Sequence, residues 1–216
     1  MTADGSHTLY LEELDEHYHS WHGAIQESRY VFIEQGLKYC DQDQVDVLEV
    51  GFGTGLNALL TCIDAQQSER SIYYDTLELY PLPEGLLSRL NYSEKLSTGH
   101  TGLFRQIHHL PWDQINQVNP WFHLTKIRAD FTRYEFKRRY GLIYFDAFAP
   151  DKQPSMWEAQ SLKKLFHVLE PGGLLVTYCA KGSIKRLFRD IGYQVETLPG
   201  PPGKREMIRA TRPVEI

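Results

Sequence analysis

Three glycines within five residues, Gly51-Phe52-Gly53-Thr54-Gly55, stand between an apolar run over Val45–Val50 and a helix-like stretch from Asn57 to Ala65. The run is interrupted only by Asp46 and Glu49, which makes it a buried-type strand, and the glycines let the chain turn tightly at its end. Strand, turn and helix in this order open an α/β unit. The alternation continues. Ser71–Leu79, Phe122–Ile127, Leu142–Phe145 and Leu174–Tyr178 read as further strands. Pro81 and Pro83 open a predicted helix through Leu90, and Thr132 is placed to cap a short helix carrying Lys137, Arg138 and Arg139. Ser155 is placed to cap a helix through Leu169, ended by Pro171-Gly172-Gly173, and Ser183–Ile191 reads as another helix. Tyr193–Leu198 and Arg205–Ala210 read as a closing strand pair across Gly200-Pro201-Pro202-Gly203. Residues 91–120 show no clean period and are expected to be an insertion or irregular connection. The sum is one three-layer, Rossmann-like α/β domain over residues 45–216, with a mostly parallel sheet and a C-terminal antiparallel strand. Ligands of such sheets belong at the carboxyl ends of the strands. Residues 1–44 form an aromatic-rich N-terminal extension.

Composition narrows the class. Hydrophobic content of 42% and charged content of 24% over 216 residues, with no internal repeat, exclude disorder, collagen and solenoids. No run of about 18 uncharged apolar residues occurs and the N-terminus is polar and acidic, which excludes a membrane span and a secretory signal. A soluble, cytoplasmic chain is expected. Cys40, Cys62 and Cys179 are odd in number and far apart, so buried thiols in a reducing compartment are expected rather than disulfides or a C-x-x-C site. His17, His19 and His22 match no zinc spacing, and no metal is expected. The net charge of −5 hides an asymmetry: residues 1–120 hold 6 Lys and Arg against 18 Asp and Glu, whereas residues 121–216 hold 17 against 10. A basic C-terminal half permits a local phosphate-binding patch; the bland alternative is solvated helix faces such as Lys163/Lys164 and Lys185/Arg186/Arg189.

A dinucleotide fingerprint, Gly-x-Gly-x-x-Gly, needs a glycine at position 56, where Leu56 stands. Glu49, just before the first glycine, would meet a pyrophosphate anion to anion and suits a cationic ligand. S-adenosylmethionine, which carries an ammonium and a sulfonium, is such a ligand, with Glu49, Gly51, Gly53 and Gly55 as candidate binding residues. Glu78 falls at a strand end 27 residues past Gly51, where a carboxylate accepts from ribose hydroxyls. Asp130, at a later strand end, is placed to accept from an adenine amino group while the Phe131 ring packs on the base. In the segment Tyr144 to Trp157 an apolar strand delivers Asp146 to the sheet's carboxyl edge. Pro150 and Pro154 then fix a loop bearing Phe148 and Trp157, the makings of a pocket for a planar group.

The loop Asp146-x-Phe148-Ala149-Pro150-x-x-x-Pro154-x-x-Trp157, with Glu27-Ser28-Arg29-Tyr30-Val31-Phe32, Gly51 to Asn57, and Gly203-Lys204-Arg205-Glu206-Met207, resembles the methyltransferase domain of the MnmC family of tRNA wobble-uridine modification enzymes. The resemblance covers nearly the whole chain and is to the stand-alone form, without the FAD-dependent oxidase domain. It implies a class I methyltransferase fold and N-methylation of 5-aminomethyl(-2-thio)uridine at the tRNA anticodon wobble position, using S-adenosylmethionine and without oxidative removal of a carboxymethyl group. It adds Asn57 and Asp146 to the cofactor-binding set. Asp146 is the candidate catalytic residue, accepting a hydrogen bond from the substrate amine and aiming its lone pair at the methyl. Phe148 and Trp157 would work beside the target base. Lys204, Arg205 and the basic residues of 181–189 would contact phosphates of the anticodon stem-loop. The stretch holding His17, His19, His22, Glu27 and Tyr30 would pack along the mouth of the cofactor site. Competing readings are a small-amine methyl or aminopropyl transferase, a non-catalytic RNA-binding module of the same fold, and a dinucleotide oxidoreductase. The basic C-terminal half argues against the first, the intact glycines and acids against the second, and Leu56 against the third.

Overall fold

The computed structural model describes residues 1–214. In chain order its elements are β1 (Tyr10–Leu11), β2 (Glu16–His17), α1 (Ala24–Ser28), β3 (Gln44–Val50), α2 (Leu56–Ser68), β4 (Ser71–Leu77), α3 (Glu84–Leu87), α4 (Tyr92–Leu96), α5 (Thr101–His109), β5 (Ile115–Asn119), β6 (Phe122–Ile127), β7 (Tyr140–Phe145), α6 (Ala159–Val168), β8 (Leu169–Thr177), α7 (Gly182–Ile191), β9 (Gln194–Pro199) and β10 (Glu206–Thr211). A π-helical segment, Arg29–Glu34, continues α1 directly.

Eight strands form one sheet in the order β5-β6-β4-β3-β7-β8-β10-β9. The inner pairs β6/β4, β4/β3, β3/β7 and β7/β8 are parallel, and the outer pairs are antiparallel. Burial on both faces explains the near-continuous apolar sequence of the inner strands. In β3 the faces alternate: Val45 and Val47 enter the core beneath α2 and the N-terminal segment, while Leu48 and Val50 enter the opposite core beneath α6 and α7. The layers thus run helix, sheet, helix, and the turn after β3 emerges at the carboxyl edge of the sheet centre.

Several local expectations give way to tertiary context. The helix expected from Pro81 through Leu90 is only the single turn α3. Residues 91–120 are ordered as α4, α5 and β5, with Tyr92, Phe104 and Ile107 buried in the core. The helix expected after Thr132 does not form. Asp130 Oδ1 accepts from the Thr132 backbone N–H at 2.8 Å and its hydroxyl at 2.7 Å, holding a turn. Arg138 reaches instead to Asp75 at 2.9 Å and to Asp46, on β4 and β3. Ser155 sits in a 3-10 turn over Pro154–Trp157, so α6 begins only at Ala159. That helix ends at Val168, and β8 starts at once, running through Pro171-Gly172-Gly173 with a register shift against β7. The strand pair after Tyr193 forms as β9 and β10.

Candidate active site

A cavity of about 970 Å³ opens at the carboxyl ends of β3, β4 and β7. Gly51, Gly53 and Asn57 line it from the turn and first helical residues after β3, Glu78 from the end of β4, Asp130 and Phe131 from beyond β6, and Asp146 and Phe148 from the end of β7. Residues from 11 to 32 close one side, among them Tyr18, Trp21 and Glu27, and Tyr178 and Lys204 close another.

The glycine turn works by close approach. Gly51 has φ +99, and a Cβ there would stand 2.8 Å from the backbone oxygen of Asp146. Gly55, also in the left-handed region at φ +72, is the residue before α2. Glu78 is held by two backbone donors: its Oε2 accepts from Gly53 N–H at 3.0 Å and its Oε1 from Tyr80 N–H at 2.9 Å. Asp146 Oδ2 accepts from Asn57 Nδ2 at 2.8 Å. The following loop is tied to itself, since Phe148 N–H donates to Gln153 Oε1 at 3.1 Å and Trp157 Nε1 donates to the Phe148 carbonyl at 2.8 Å. The Phe148 ring meets Tyr18 edge to face at 5.1 Å between centroids.

Four sequence-predicted site residues lie off the cavity wall. Glu49 is fully buried within the sheet, where its Oε2 accepts from Thr76 Oγ1 at 2.7 Å. A side chain at this place in a parallel strand points into a core, not toward a ligand beyond the strand end. Gly55 faces His108. Trp157 packs its ring on Phe145 at 4.6 Å, supporting the loop from below. Arg205 is exposed outside the cavity. Lys204 is inside it, paired with Glu27 and with Nζ 3.9 Å from the Tyr178 ring centroid, rather than on an outer face awaiting phosphates.

Tyr18 and Tyr178 were not singled out from the sequence, and only their aromatic character offered a signal. The Tyr178 hydroxyl donates to the Ala147 carbonyl at 2.8 Å, bracing the backbone beside Asp146. The 91–120 segment also contributes: His108 Nε2 lies 3.1 Å from the Thr54 carbonyl, and buried Lys126 donates from Nζ to the His108 carbonyl at 2.6 Å. The glycine turn is thereby propped from outside. Burial lowers the pKa of both side chains, His108 to about 4 and Lys126 to about 8. Of the three histidines near the N-terminus, His17 packs on Trp21 at 4.5 Å, His19 is held neutral by burial with a pKa near 4, and His22 is exposed.

Residues 96–213 match the profile of a family described as S-adenosyl-L-methionine-dependent methyltransferase. The chain belongs to this family. Among curated relatives it is 29% identical over 233 residues to the "tRNA 5-methylaminomethyl-2-thiouridine biosynthesis bifunctional protein MnmC" of Pseudoalteromonas atlantica, covering 96% of this chain and 32% of that protein. Against the protein of the same name from Hydrogenovibrio crunogenus it is 27% identical over 212 residues, covering 89% of this chain and 31% of the relative. The chain thus spans about a third of the length of these relatives. Among solved structures, MNMC2 from Aquifex aeolicus superposes with a TM-score of 0.78 at 24% identity, covering 100% of this chain and 70% of that one. A methyltransferase from Pyrococcus furiosus gives 0.53 at 16% identity, covering 94% and 91%. These two structures share the fold of this chain.

The residues present fit the family's cofactor, S-adenosylmethionine. Among the described residues Lys204 is the one Lys or Arg on the cavity wall, against Glu13, Glu16, Glu27, Glu78, Asp130 and Asp146. An acidic wall of this kind accepts a sulfonium and an ammonium and repels the pyrophosphate of a dinucleotide. Hydrogen bonds from Thr132 hold Asp130 below the usual carboxylate range, so it faces the cavity ionised.

Two acids at the sheet centre are both held protonated to high pH by burial. Burial lifts the Glu49 carboxyl from 4.5 to about 8, with the charge of Asp146 adding to the rise. Burial likewise lifts Asp146 from 3.8 to about 7, although the Asn57 hydrogen bond pulls it down. The unfolded chain gives up both protons near its ordinary carboxylate values, so across the window from there to pH 7–8 the folded chain holds more protons. Stability is therefore highest at the acidic side of that window, falls as pH rises through it and levels off above. Urea melts of this methyltransferase are expected to lose roughly 2 kcal/mol or more between about pH 5 and about pH 8.5 from these groups. About half of that loss should vanish in Glu49→Gln; an unchanged slope in the variant would mean that Glu49 is ionised throughout.

Proposed function

We propose that this chain methylates the exocyclic amine of 5-aminomethyl(-2-thio)uridine at the wobble position of tRNA, giving 5-methylaminomethyl(-2-thio)uridine, and that it acts in the cytoplasm as a single domain whose residues 1–44 wall the mouth of the site. The observation that carries the reading is Asp146: a carboxyl with a pKa near 7, hydrogen-bonded by Asn57, in an aromatic-walled cavity next to Glu27 and Tyr178. The relatives' name, that of a bifunctional protein of tRNA 5-methylaminomethyl-2-thiouridine biosynthesis of which this chain spans about a third, points to the same chemistry.

The cofactor supplies an electrophilic methyl on a sulfonium. Glu78 would accept from its ribose hydroxyls, Asp130 and Phe131 would meet its adenine, and Gly51, Gly53 and Asn57 would leave room for its amino-acid portion. Asp146 accepts a hydrogen bond from the substrate amine and takes the proton that the nitrogen must shed, so the lone pair points along the line of displacement. A carboxyl near 7 suits this task better than one near 4, which would hold the ammonium too firmly. Phe148 and Tyr18 offer faces and edges to a uridine splayed from the anticodon loop. Around the site Lys181 pairs with Asp151 and Lys185 with Glu206, whereas Arg186, Arg189 and Arg205 have no carboxylate within 4 Å among the described residues and are available to phosphates.

The test is methyl transfer from labelled S-adenosylmethionine to bulk tRNA carrying 5-aminomethyluridine, with nucleoside analysis of the product. The expected product is 5-methylaminomethyluridine, formed with a tRNA affinity that falls steeply with salt while cofactor affinity barely moves. Transfer to small amines but not to tRNA would overturn the reading and favour the small-molecule alternative.

A further inference from the structure

Among the described residues four aromatic side chains stand out in water: Tyr10, Trp21, Tyr39 and Tyr80, at 50%, 57%, 51% and 77% of full exposure. Tyr39 is accounted for within the chain, because the Arg209 guanidinium lies 3.6 Å from its ring centroid. Tyr80 belongs with the Glu78 end of the cavity, to which its backbone is bonded. Tyr10 and Trp21 remain, and one side chain joins them. Tyr10 faces His17 across the β1–β2 hairpin with ring centroids 4.9 Å apart, and the His17 ring meets Trp21 edge to face at 4.5 Å. His17 and Trp21 both line the cavity. The cavity rim thus carries a ladder of three rings with its outer members half in water, which marks a binding surface.

The ladder is fixed before any partner arrives. Ala3 N–H donates to the Trp21 carbonyl at 2.8 Å, and Tyr18 N–H to the Leu9 carbonyl at 3.0 Å. Lys152 Nζ donates to the Asp15 carbonyl at 2.9 Å, tying the hairpin tip to the loop that carries Phe148. Rings with two side-chain torsions on a fixed backbone lose little freedom when something stacks on them. Charge selects what that can be. Glu12, Glu13, Asp15 and Glu16 flank the rings on the hairpin, so a phosphate is repelled there while the face of an uncharged base is not. On the adjoining side the β9–β10 turn comes so close that a Cβ on Gly203 would stand 1.8 Å from the His22 ring. That turn leads into Arg205, and Arg186 and Arg189 stand on α7. Acid with aromatic rings on one side and arginines on the other suit the two sides of an unpaired strand, bases and backbone.

We propose that the Tyr10–His17–Trp21 ladder is a stacking platform for the unpaired RNA bases that flank the nucleotide held in the cavity, with their phosphates turned toward Arg205 and α7. This rests on the reading of an anticodon loop as the substrate. A base drawn into the cavity leaves its neighbours unstacked, and the exposed indole of Trp21 and phenol of Tyr10 return stacking to them at the rim. Every base has such a face, so the platform adds affinity without reading sequence.

Binding of an anticodon stem-loop RNA with plain uridine at the wobble position, measured across a salt series, tests the platform. Trp21→Ala is expected to weaken binding about 5- to 100-fold, the range for loss of one stacked base, with the salt slope unchanged because no phosphate contact is lost. Trp21→Phe, which keeps a ring, should recover most of the affinity. Tyr39→Ala, equally exposed but covered by Arg209, should bind as wild type does. Affinity of Trp21→Ala within about twofold of wild type, or a salt slope reduced by about one as for a lost phosphate contact, would overturn the proposal. Should Trp21→Ala fail to fold, fluorescence decides: Trp21 is the exposed one of four tryptophans, and its quenching by acrylamide, read against Trp21→Phe, is expected to drop when the stem-loop binds. Equal quenching in the free and bound protein would refute stacking there. The stem-loop carries no amine to methylate, so binding through Trp21 without methyl transfer to modified tRNA would sink the substrate reading alone. Normal methyl transfer with stem-loop binding indifferent to Trp21 would sink the platform alone, as would absence of stem-loop binding whatever the transfer assay gives.

Discussion

Replacing Asp146 by asparagine is expected to lower kcat for the tRNA substrate by about 10²–10⁴-fold, the range in which loss of a positioned proton acceptor falls. Asparagine is nearly isosteric and keeps an oxygen for Asn57 Nδ2, so cofactor affinity should stay within a few-fold of wild type. Its other terminal group is a donor that meets the substrate amine donor to donor, and it cannot take a proton. Single-turnover kinetics with calorimetric cofactor titration separates the two effects. The pH profile adds a second check. In wild type the rate rises as pH passes through the ionisation of Asp146, which lies near 7 in the free protein and lower once a cationic cofactor sits beside it. That limb should be missing in Asp146→Asn. Near-full turnover by the variant would show that Asp146 neither orients the amine nor accepts its proton.

Gly51→Val is the second large effect. The position has φ +99, outside what a β-branched residue adopts, and its new Cβ would stand 2.8 Å from the Asp146 carbonyl oxygen, a backbone atom that cannot swing away. Strain and overlap together cost about 3 kcal/mol, and relief comes only by pushing the end of β7 from the end of β3. Because those two strand ends form the cavity floor, cofactor affinity is expected to fall 100-fold or more and the melting temperature by several degrees. Gly102 is the control: nothing lies within 4 Å of a Cβ there and it sits inside α5, so Gly102→Ala should leave binding unchanged and stability equal or slightly raised. Normal cofactor binding by Gly51→Val would mean that the strand ends need not approach this closely.

How much of this was legible beforehand depends on the range over which each decision is made. The strand over Val45–Val50, the glycine turn and the helix after it were readable because apolar periodicity and left-handed glycines are local properties, and three acids at successive strand ends followed from counting along the chain. The Asp146 loop was readable for the same reason: its prolines and aromatics carry their constraint within a dozen residues. Residues 91–120 were not, because α5 sends little beyond Phe104 and Ile107 into the core and has no capping side chain. Thr132 offered a good cap, yet ion pairs from Arg138 to Asp46 and Asp75, far away in sequence, hold that stretch against the sheet.

The sequence by itself determined the α/β architecture and the acid that follows β7, Asp146. The tertiary structure alone decided the side of each strand end on which a side chain emerges. It turned Glu49 inward, where burial raises its carboxyl to about 8, and Asp146 outward onto the cavity, though both are acids at the carboxyl ends of neighbouring parallel strands. It also folded Lys204 into the cavity against Glu27 and left Arg205 outside, although the two are adjacent in the chain. The reason is physical: a pleated strand or turn sends successive side chains to opposite sides, and only the packed neighbours fix which side is solvent, cavity or core.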